Sequence, residues 1–439
     1  MWGPILEGDL REAALSTLQE LSAQVPSEST PDEGNLFLGG GAVGRALFHG
    51  YVALAEGSAS RHLATRRLLR HILDAWPASS LPWRIQLYRD FLGLAWVSVH
   101  LDPGGVDAGP WEEFDELLPS LVAMLPKESG FDLVSGHVGL GTYALERLPG
   151  AGAEECLARI VAELDASARR EGRGLAWPRT APEGSWQRQV CTGEYVDLGV
   201  AHGVAGIIAF LAEVRAAGIE TRQTSALLDP AVAWLLDQRI DGGEGPCFPA
   251  LAAPGIDRAP SRLAWCYGDA GIAGALLHAA RCTGEASWER EAIDIARGSL
   301  GWSPERSRVV DATLCHGAAG LAHIYNRFFQ STRLEEFHGA AVAWYARTLG
   351  LRRPGQGVGG FLARGEAEGR MDWVAEPGFL IGAAGIGLGL LAAVSPGEPA
   401  WDRLLLLSGP SGQGPSRNNL SNSRLQREGR EGPEGADRM

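Results

Sequence analysis

Arg262-Leu-Ala-Trp-Cys-Tyr-Gly-Asp-Ala-Gly271 is a loop that ends in Gly-x-x-Gly and runs straight into an apolar, alanine-rich helix. Leu314-Cys-His-Gly-Ala-Ala-Gly320 repeats the device 49 residues later. Each copy carries a cysteine two places before its first glycine, Cys266 and Cys315, and the second adds His316. Two thiolates and an imidazole at helix entrances form a donor set for a zinc ion that keeps its fourth position open. For an isolated Cys-His pair, ordinary core residues are the commoner explanation. The weight therefore falls on how the motif recurs.

Gly-x-x-Gly before an apolar helix also occurs at Gly41/Gly44, Gly136/Gly139, Gly203/Gly206 and Gly382/Gly385, and a degenerate copy places Asp90 before Gly93. Successive second glycines lie 49, 46, 67, 65, 49 and 65 residues apart, which makes seven units. Between them lie seven amphipathic segments with helical period, near 5–23, 61–76, 111–125, 153–168, 224–238, 288–300 and 334–349. These keep arginines, glutamates and aspartates on one face, as outer helices do. The glycine-led helices are apolar nearly all round, and their small residues allow close backbone approach. The expected fold is all-α: an α/α toroid of seven inner and seven outer helices, with an open solenoid of helix pairs as the alternative. No segment reads as a sheet. The loops from outer to inner helix are long, about 168–202, 241–267 and 350–381, and belong on the face where the inner helices begin.

Equivalent positions in a ring of repeats converge on its axis. The residue before the first glycine, or before Asp90, is in turn Gly40, Arg89, Ser135, His202, Tyr267, His316 and Ile381. One place earlier the series is Gly39, Tyr88, Val134, Ala201, Cys266, Cys315 and Leu380. Ligating and polar residues thus gather in units four to six, and two of six cysteines share one repeat position. Asp132, four before Gly136, and Arg262, six before Gly268, lie where they reach the same face. Asp132 is equally readable as a helix cap, and Arg262 as one half of a surface ion pair. His202 fits either a fourth ligand closing a Cys2His2 site or an acid–base group. Tyr267 fits a packed ring with its hydroxyl bonded to a loop carbonyl.

The 439 residues are ample for a large core, and the repeats argue for one domain over 1–408 rather than the two or three that length suggests. The tail 409–439, rich in Gly, Ser, Pro, Asn, Arg and Glu, has the composition of a disordered segment. A net charge of −14 speaks against nucleic acid. No apolar run reaches the length of a membrane span and no signal peptide opens the chain. Six scattered cysteines form no disulfide framework, so a cytoplasmic location is expected.

Taken together, Arg262-Leu-Ala-Trp-Cys-Tyr-Gly, Cys315-His-Gly, Gly199-Val-Ala-His-Gly-Val-Ala-Gly206 and Asp132-Leu-Val-Ser-Gly resemble the signatures of the lanthionine synthetase C-like family, the lanthipeptide cyclases. The resemblance covers about residues 5–395. It implies an α/α toroid with central Zn2+ and Michael addition of peptide cysteines to dehydroalanine or dehydrobutyrine, giving (methyl)lanthionine rings. It implies Cys266, Cys315 and His316 as zinc ligands, and His202, Asp132, Arg262 and Tyr267 as the other active-site positions. Arg262 then suits an enolate oxyanion, His202 proton transfer, and Asp132 the orientation of that histidine. The implied partners are a dehydrated precursor peptide, leader plus core, and a separate dehydratase, since no fused dehydratase or kinase region precedes the motifs. Unit two lacks its first glycine, and Ile381 stands where many members have glutamate; both departures bear on substrate preference. Rival expectations are thiol addition, for example of glutathione, to other dehydroamino-acid acceptors, and a non-catalytic peptide-binding scaffold with structural zinc. Truncation after Gly409 is expected to leave metal content and turnover unchanged; a large loss of either would show that the tail packs on the ring.

Overall fold

The computed structural model describes residues 2–28, 35–76, 85–102, 109–125, 130–181, 183–241, 246–367 and 370–409. Sixteen α-helices follow one another among them: α1 (Gly8–Gln24), α2 (Ala42–Glu56), α3 (Ala59–Ala75), α4 (Phe91–Leu101), α5 (Gly109–Met124), α6 (His137–Glu146), α7 (Ala151–Ser167), α8 (Trp186–Val190), α9 (Val204–Ala216), α10 (Thr221–Leu236), α11 (Asp269–Thr283), α12 (Ala286–Gly298), α13 (Pro304–Ser307), α14 (Ala318–Thr332), α15 (Glu335–Gly350) and α16 (Ala383–Val394). The glycine-led helices α2, α4, α6, α9, α11, α14 and α16 each pack on the next, and α16 packs back on α2. That closure makes the ring a toroid and excludes the open solenoid. The amphipathic helices α3, α5, α7, α10, α12 and α15 lie outside it, and α1 closes the outer layer against α15 and α16.

Inner helices are buried on all sides because they touch two neighbours, an outer helix and the axis. In α9 every residue from Val204 to Val214 is buried. Glycines along these helices receive the large rings of neighbours. A Cβ at Gly141 of α6 would collide with Phe210 of α9, and one at Gly387 of α16 with Phe48 of α2. The second contact lies at the junction where the ring closes.

The recurrent Gly-x-x-Gly has a steric cause. The loop before each inner helix folds back so that a carbonyl six residues upstream lies against the second glycine. Leu38, Leu87, Leu133, Val200, Trp265, Leu314 and Phe379 occupy the space a Cβ would take at Gly44, Gly93, Gly139, Gly206, Gly271, Gly320 and Gly385. The first glycine caps the helix, and in unit two Asp90 does so with its carboxylate accepting from the Phe91 N–H at 2.8 Å.

This fold-back sends the residue two before the first glycine to the axis, where backbone hydrogen bonds link one unit to another. Leu380 donates to Gly39 (2.8 Å), Gly39 to Tyr88 (2.9 Å), Cys315 to Leu380 (2.8 Å) and Cys266 to Cys315 (3.4 Å). Beneath this circle a 3-10 turn, Trp401–Leu405, occupies the ring's centre. Trp265 donates to the Leu405 carbonyl at 2.9 Å, and the Tyr88 hydroxyl donates to Leu404. Asp402 is fully buried, accepting from Arg327 (2.6 and 2.7 Å) and meeting His323 at 2.7 Å.

The expectation that no segment forms a sheet is corrected. The long outer-to-inner loops carry short antiparallel strands, among them a three-stranded sheet of Arg179–Thr180, Glu194–Asp197 and Leu251–Ala252, and a hairpin of Ala363–Ala367 with Arg370–Val374. Strands of two to five residues are too short for a period-2 pattern to show. The tail expected to be disordered, beyond Gly409, lies outside the described residues.

Asp402→Ala should lower unfolding stability by about 3–5 kcal/mol, because it takes the buried carboxylate from His323 and leaves Arg327 only Glu398 and the Pro399 carbonyl. Denaturant titration checks this, and a loss under about 1 kcal/mol would show that the central turn does not brace the ring.

Candidate functional site

Cys266, Cys315 and His316 come together at the mouth of the inner ring, their ligating atoms all within 4.8 Å of one another. The two cysteines meet because their units are adjacent and their backbones are hydrogen-bonded at the same repeat position. Tetrahedral zinc with bonds of about 2.0–2.3 Å holds its ligands roughly 3.5–3.8 Å apart, so small side-chain rotations suffice. Cys266 is buried, whereas Cys315 and His316 keep partial exposure, which leaves one side of the cluster accessible. The adjoining Cys315 thiol and the nearby His316 hold Cys266 well below the usual thiol range, and Cys266 together with burial pushes Cys315 up. Both properties, soft donors and an open side, suit zinc.

His202 is not in this cluster. Its Nδ1 meets Asp132 Oδ2 at 2.9 Å, and among the described residues the metal-ligating group has three members. His202 thus stands apart from the three residues that could hold a metal. Asp132 is 3% exposed and also accepts from the Ser135 N–H (2.6 Å) and from Arg179 Nη1 (2.9 Å). Burial opposes its charge, but His202 and then Arg179 outweigh that and hold its carboxyl below the usual range. Burial likewise favours neutral His202, yet Asp132 prevails and raises its pKa. With Nδ1 engaged, Nε2 is the free ring nitrogen. A cavity of about 490 Å³ opens beside it, lined by Phe131, Asp132, Trp177, Arg179, Asp197 and His202 among others.

Tyr267 Oη donates to Asp197 Oδ2 at 3.0 Å, with Trp186 of α8 edge-on to its ring. In place of the loop carbonyl expected for a merely packed ring, its partner is a buried carboxylate. Burial raises the Tyr267 phenol far above its ordinary range, and Asp197 adds to the effect. Burial also raises Asp197. The loops meet where Gly199 lies on the Cys266 carbonyl, a position a Cβ would occupy. Arg262 is exposed and forms no hydrogen bond or ion pair among the described residues, although its charge lowers the pKa of both Cys266 and Cys315.

A family model described as lanthionine synthetase C-like protein matches residues 33–406. The chain belongs to the lanthionine synthetase C-like family. No curated protein matches the chain by sequence. Among solved structures its fold resembles that of nisin cyclase, with a TM-score of 0.68 and 16% identity over 90% of this chain and 96% of the other. An inactive variant of the α-1,6-mannanase GH76A of Salegentibacter sp. HEL1_6 aligns at a TM-score of 0.47, with 11% identity over 88% of this chain and 99% of that one. Cellobiose 2-epimerase from Bacillus thermoamylovorans aligns at 0.45, with 10% identity over 86% and 98%.

Sequence reading missed three residues at this lanthionine synthetase C-like site. Asp197 and Asp311 share a repeat position, six before the first glycine, where each carboxylate accepts the N–H two residues on, Gly199 and Thr313, at 3.1 Å. Asn35 and Glu376 fill the same position in units one and seven. Listing that position around the repeats would have found both aspartates. Asp311 Oδ2 lies 3.8 Å from His316 Nε2, placed as the carboxylate that commonly orients a metal-binding imidazole. Arg179 arrives on a strand outside the repeat and had no periodic signal. Among the described residues no helix is long and apolar enough to cross a membrane.

The raised His202 and lowered Asp132 fix a pH window. The histidine's contribution to stability is full below its unfolded pKa of about 6.5 and is lost as pH rises through the higher folded value. The aspartate's is present above about 3.9 and lost as pH falls through its lower folded value. Asp132→Asn should therefore shift the His202 titration, followed by ring NMR signals, to lower pH; an unmoved titration would show that the pair is not electrostatically coupled.

Proposed function

We propose that the chain is a zinc-dependent cyclase that joins cysteine thiols of a dehydrated precursor peptide to its dehydroalanine or dehydrobutyrine residues. The observation that supports this most is the open Cys266–Cys315–His316 cluster set beside a separate, carboxylate-anchored His202. A scaffold with a purely structural metal would need neither an accessible side nor a held acid–base pair. The donor set fits Zn2+, which when bound supplies a Lewis acid that keeps an incoming thiol as thiolate; for a thiol of pKa about 8.5 this raises the reactive fraction roughly 30-fold near neutrality, about 2 kcal/mol.

The protein's own residues do the rest. Cys266, Cys315 and His316 hold the metal, and Asp311 steadies the imidazole. Arg262, whose charge reaches both sulfurs, attracts the incoming anionic thiolate. Tyr267, tied to Asp197, walls the space between the cluster and the cavity. The sulfur adds to the alkene β-carbon, and the π electrons move to the acceptor's carbonyl as an enolate. His202, kept charged by Asp132, delivers a proton from Nε2 to the α-carbon. The sum is addition of S–H across C=C. Holding thiolate and alkene together contributes the remaining acceleration. A dehydratase acting earlier must supply the alkene.

His202→Asn should keep one zinc per chain and keep the fold while cyclisation falls by roughly two to four orders of magnitude. Cys315→Ala should lose the metal. Metal analysis and turnover of a dehydrated peptide on the same preparations test both; full zinc occupancy in Cys315→Ala would overturn the ligand assignment. Wild-type protein that alkylates free glutathione but closes no peptide ring would favour the alternative thiol acceptor.

A further inference from the structure

We infer that Arg179 is a catalytic residue: its guanidinium donates to the carbonyl oxygen of the dehydroamino acid and stabilises the enolate formed there. This rests on the cyclase reading and adds to it the group that faces the acceptor.

Addition of sulfur to the alkene moves charge onto the acceptor's carbonyl oxygen. That oxygen needs fixed donors on the same side of the substrate as the proton source. Arg262, exposed and without a bonded partner, has no means of being held in one geometry. Arg179 does. Its Nη1 donates to Asp132 Oδ2 at 2.9 Å, the oxygen that also holds His202 Nδ1 at 2.9 Å. The side chain is 19% exposed, and it lines the 490 Å³ cavity together with His202.

A guanidinium offers five N–H donors in a planar fork. Among the described residues, Arg179's hydrogen bonding is satisfied only at Asp132, so the rest of the fork is available to the cavity. The backbone fixes its position from two sides. Arg179 pairs with Tyr195 in the small sheet, and that strand ends at Asp197, the partner of Tyr267. Gly130, at φ 68°, lies under the guanidinium so closely that a Cβ there would sit 3.2 Å from Arg179 Cζ. A residue in the left-handed region with no side chain gives the fork a flat bed.

One buried carboxylate thus positions two cations with different tasks. Arg179 binds the oxygen where negative charge develops, and His202 Nε2 delivers the proton to the neighbouring carbon. No atom is lost in the step: the C–S bond forms, the C=C π bond breaks, its electrons rest on the carbonyl oxygen, and the proton then closes the α-carbon. Phe131 and Trp177 supply apolar walls of the same cavity.

The test compares wild type, Arg179→Gln and Arg179→Lys on a short peptide carrying one dehydroalanine and one cysteine, across the pH range of activity. Zinc content and circular dichroism establish folding. Both variants should keep KM within about threefold. Lysine keeps the ion pair with Asp132 but not the fork, and kcat should fall at least about tenfold. Glutamine should lower kcat by about 10²–10³, the scale for losing an oxyanion donor. Alkylation of the enzyme-bound peptide thiol by iodoacetamide, which forms no enolate, should be unchanged.

If the rate returns when pH is readjusted, Arg179 acts only through His202 titration and the inference is wrong. It is equally wrong if both variants turn over within threefold of wild type, or if alkylation falls in parallel with cyclisation. A wild-type protein that closes no ring sinks the cyclase reading and this inference together, whereas wild-type turnover with unimpaired variants sinks this inference alone. Should Arg179→Gln not fold, Arg179→Lys decides.

Discussion

A loop carbonyl lying against the second glycine of each inner helix is the contact on which this molecule depends. It requires glycine because the carbonyl occupies the space of a Cβ. Repeated seven times, it turns each loop inward and brings the residue two before the first glycine to the axis. The backbone bonds between Leu380 and Gly39, Gly39 and Tyr88, and Cys266 and Cys315 are consequences of that turn. So is the meeting of two cysteines that lie 49 residues apart in sequence. The central turn at Trp401–Leu405 is gripped by the same loops through Tyr88 and Trp265.

The site uses two kinds of construction. The cysteines, His316, Asp197 and Asp311 occupy repeat positions, so the ring itself sets their spacing. Arg179 comes from an insertion between α7 and α9 that folds as a small sheet over the ring's mouth. The repeat supplies rigidity and a convergent set of donors. The insertion supplies a cavity lined by Asp132, Asp197 and His202. Asp132 joins the two, since its carboxylate accepts from a ring residue, His202, and from an insertion residue, Arg179.

Electrostatics separate the tasks. Asp132 is surrounded by cations and stays charged, which keeps His202 protonated above its ordinary pKa. Asp197 sits a few residues away in an environment poorer in compensation, with its carboxyl raised by burial. Two buried carboxylates in one cavity wall are therefore shifted in opposite directions. The thiols lie beside His316, which with Cys315 lowers the Cys266 pKa.

The glycine period and the all-apolar helices determined seven helix pairs and made a toroid the expected fold, because a steric requirement met seven times leaves a periodic trace; the contact of α16 on α2 then decided against the open solenoid. The cysteine pair and His316 were legible for the same reason. Asp197 and Asp311 also lay at a repeat position, but aspartate in a loop has so many ordinary uses that one occurrence carries little signal. Tertiary structure decided what no period records. Whether His202 joined the Cys266–Cys315–His316 cluster or stood apart depended on Asp132, 70 residues away and bonded to it only in the folded ring. Arg179 was invisible for a similar reason: strands of two to four residues show no alternation, and a surface-composition arginine acquires its role only when a distant carboxylate and a bare glycine hold it in place.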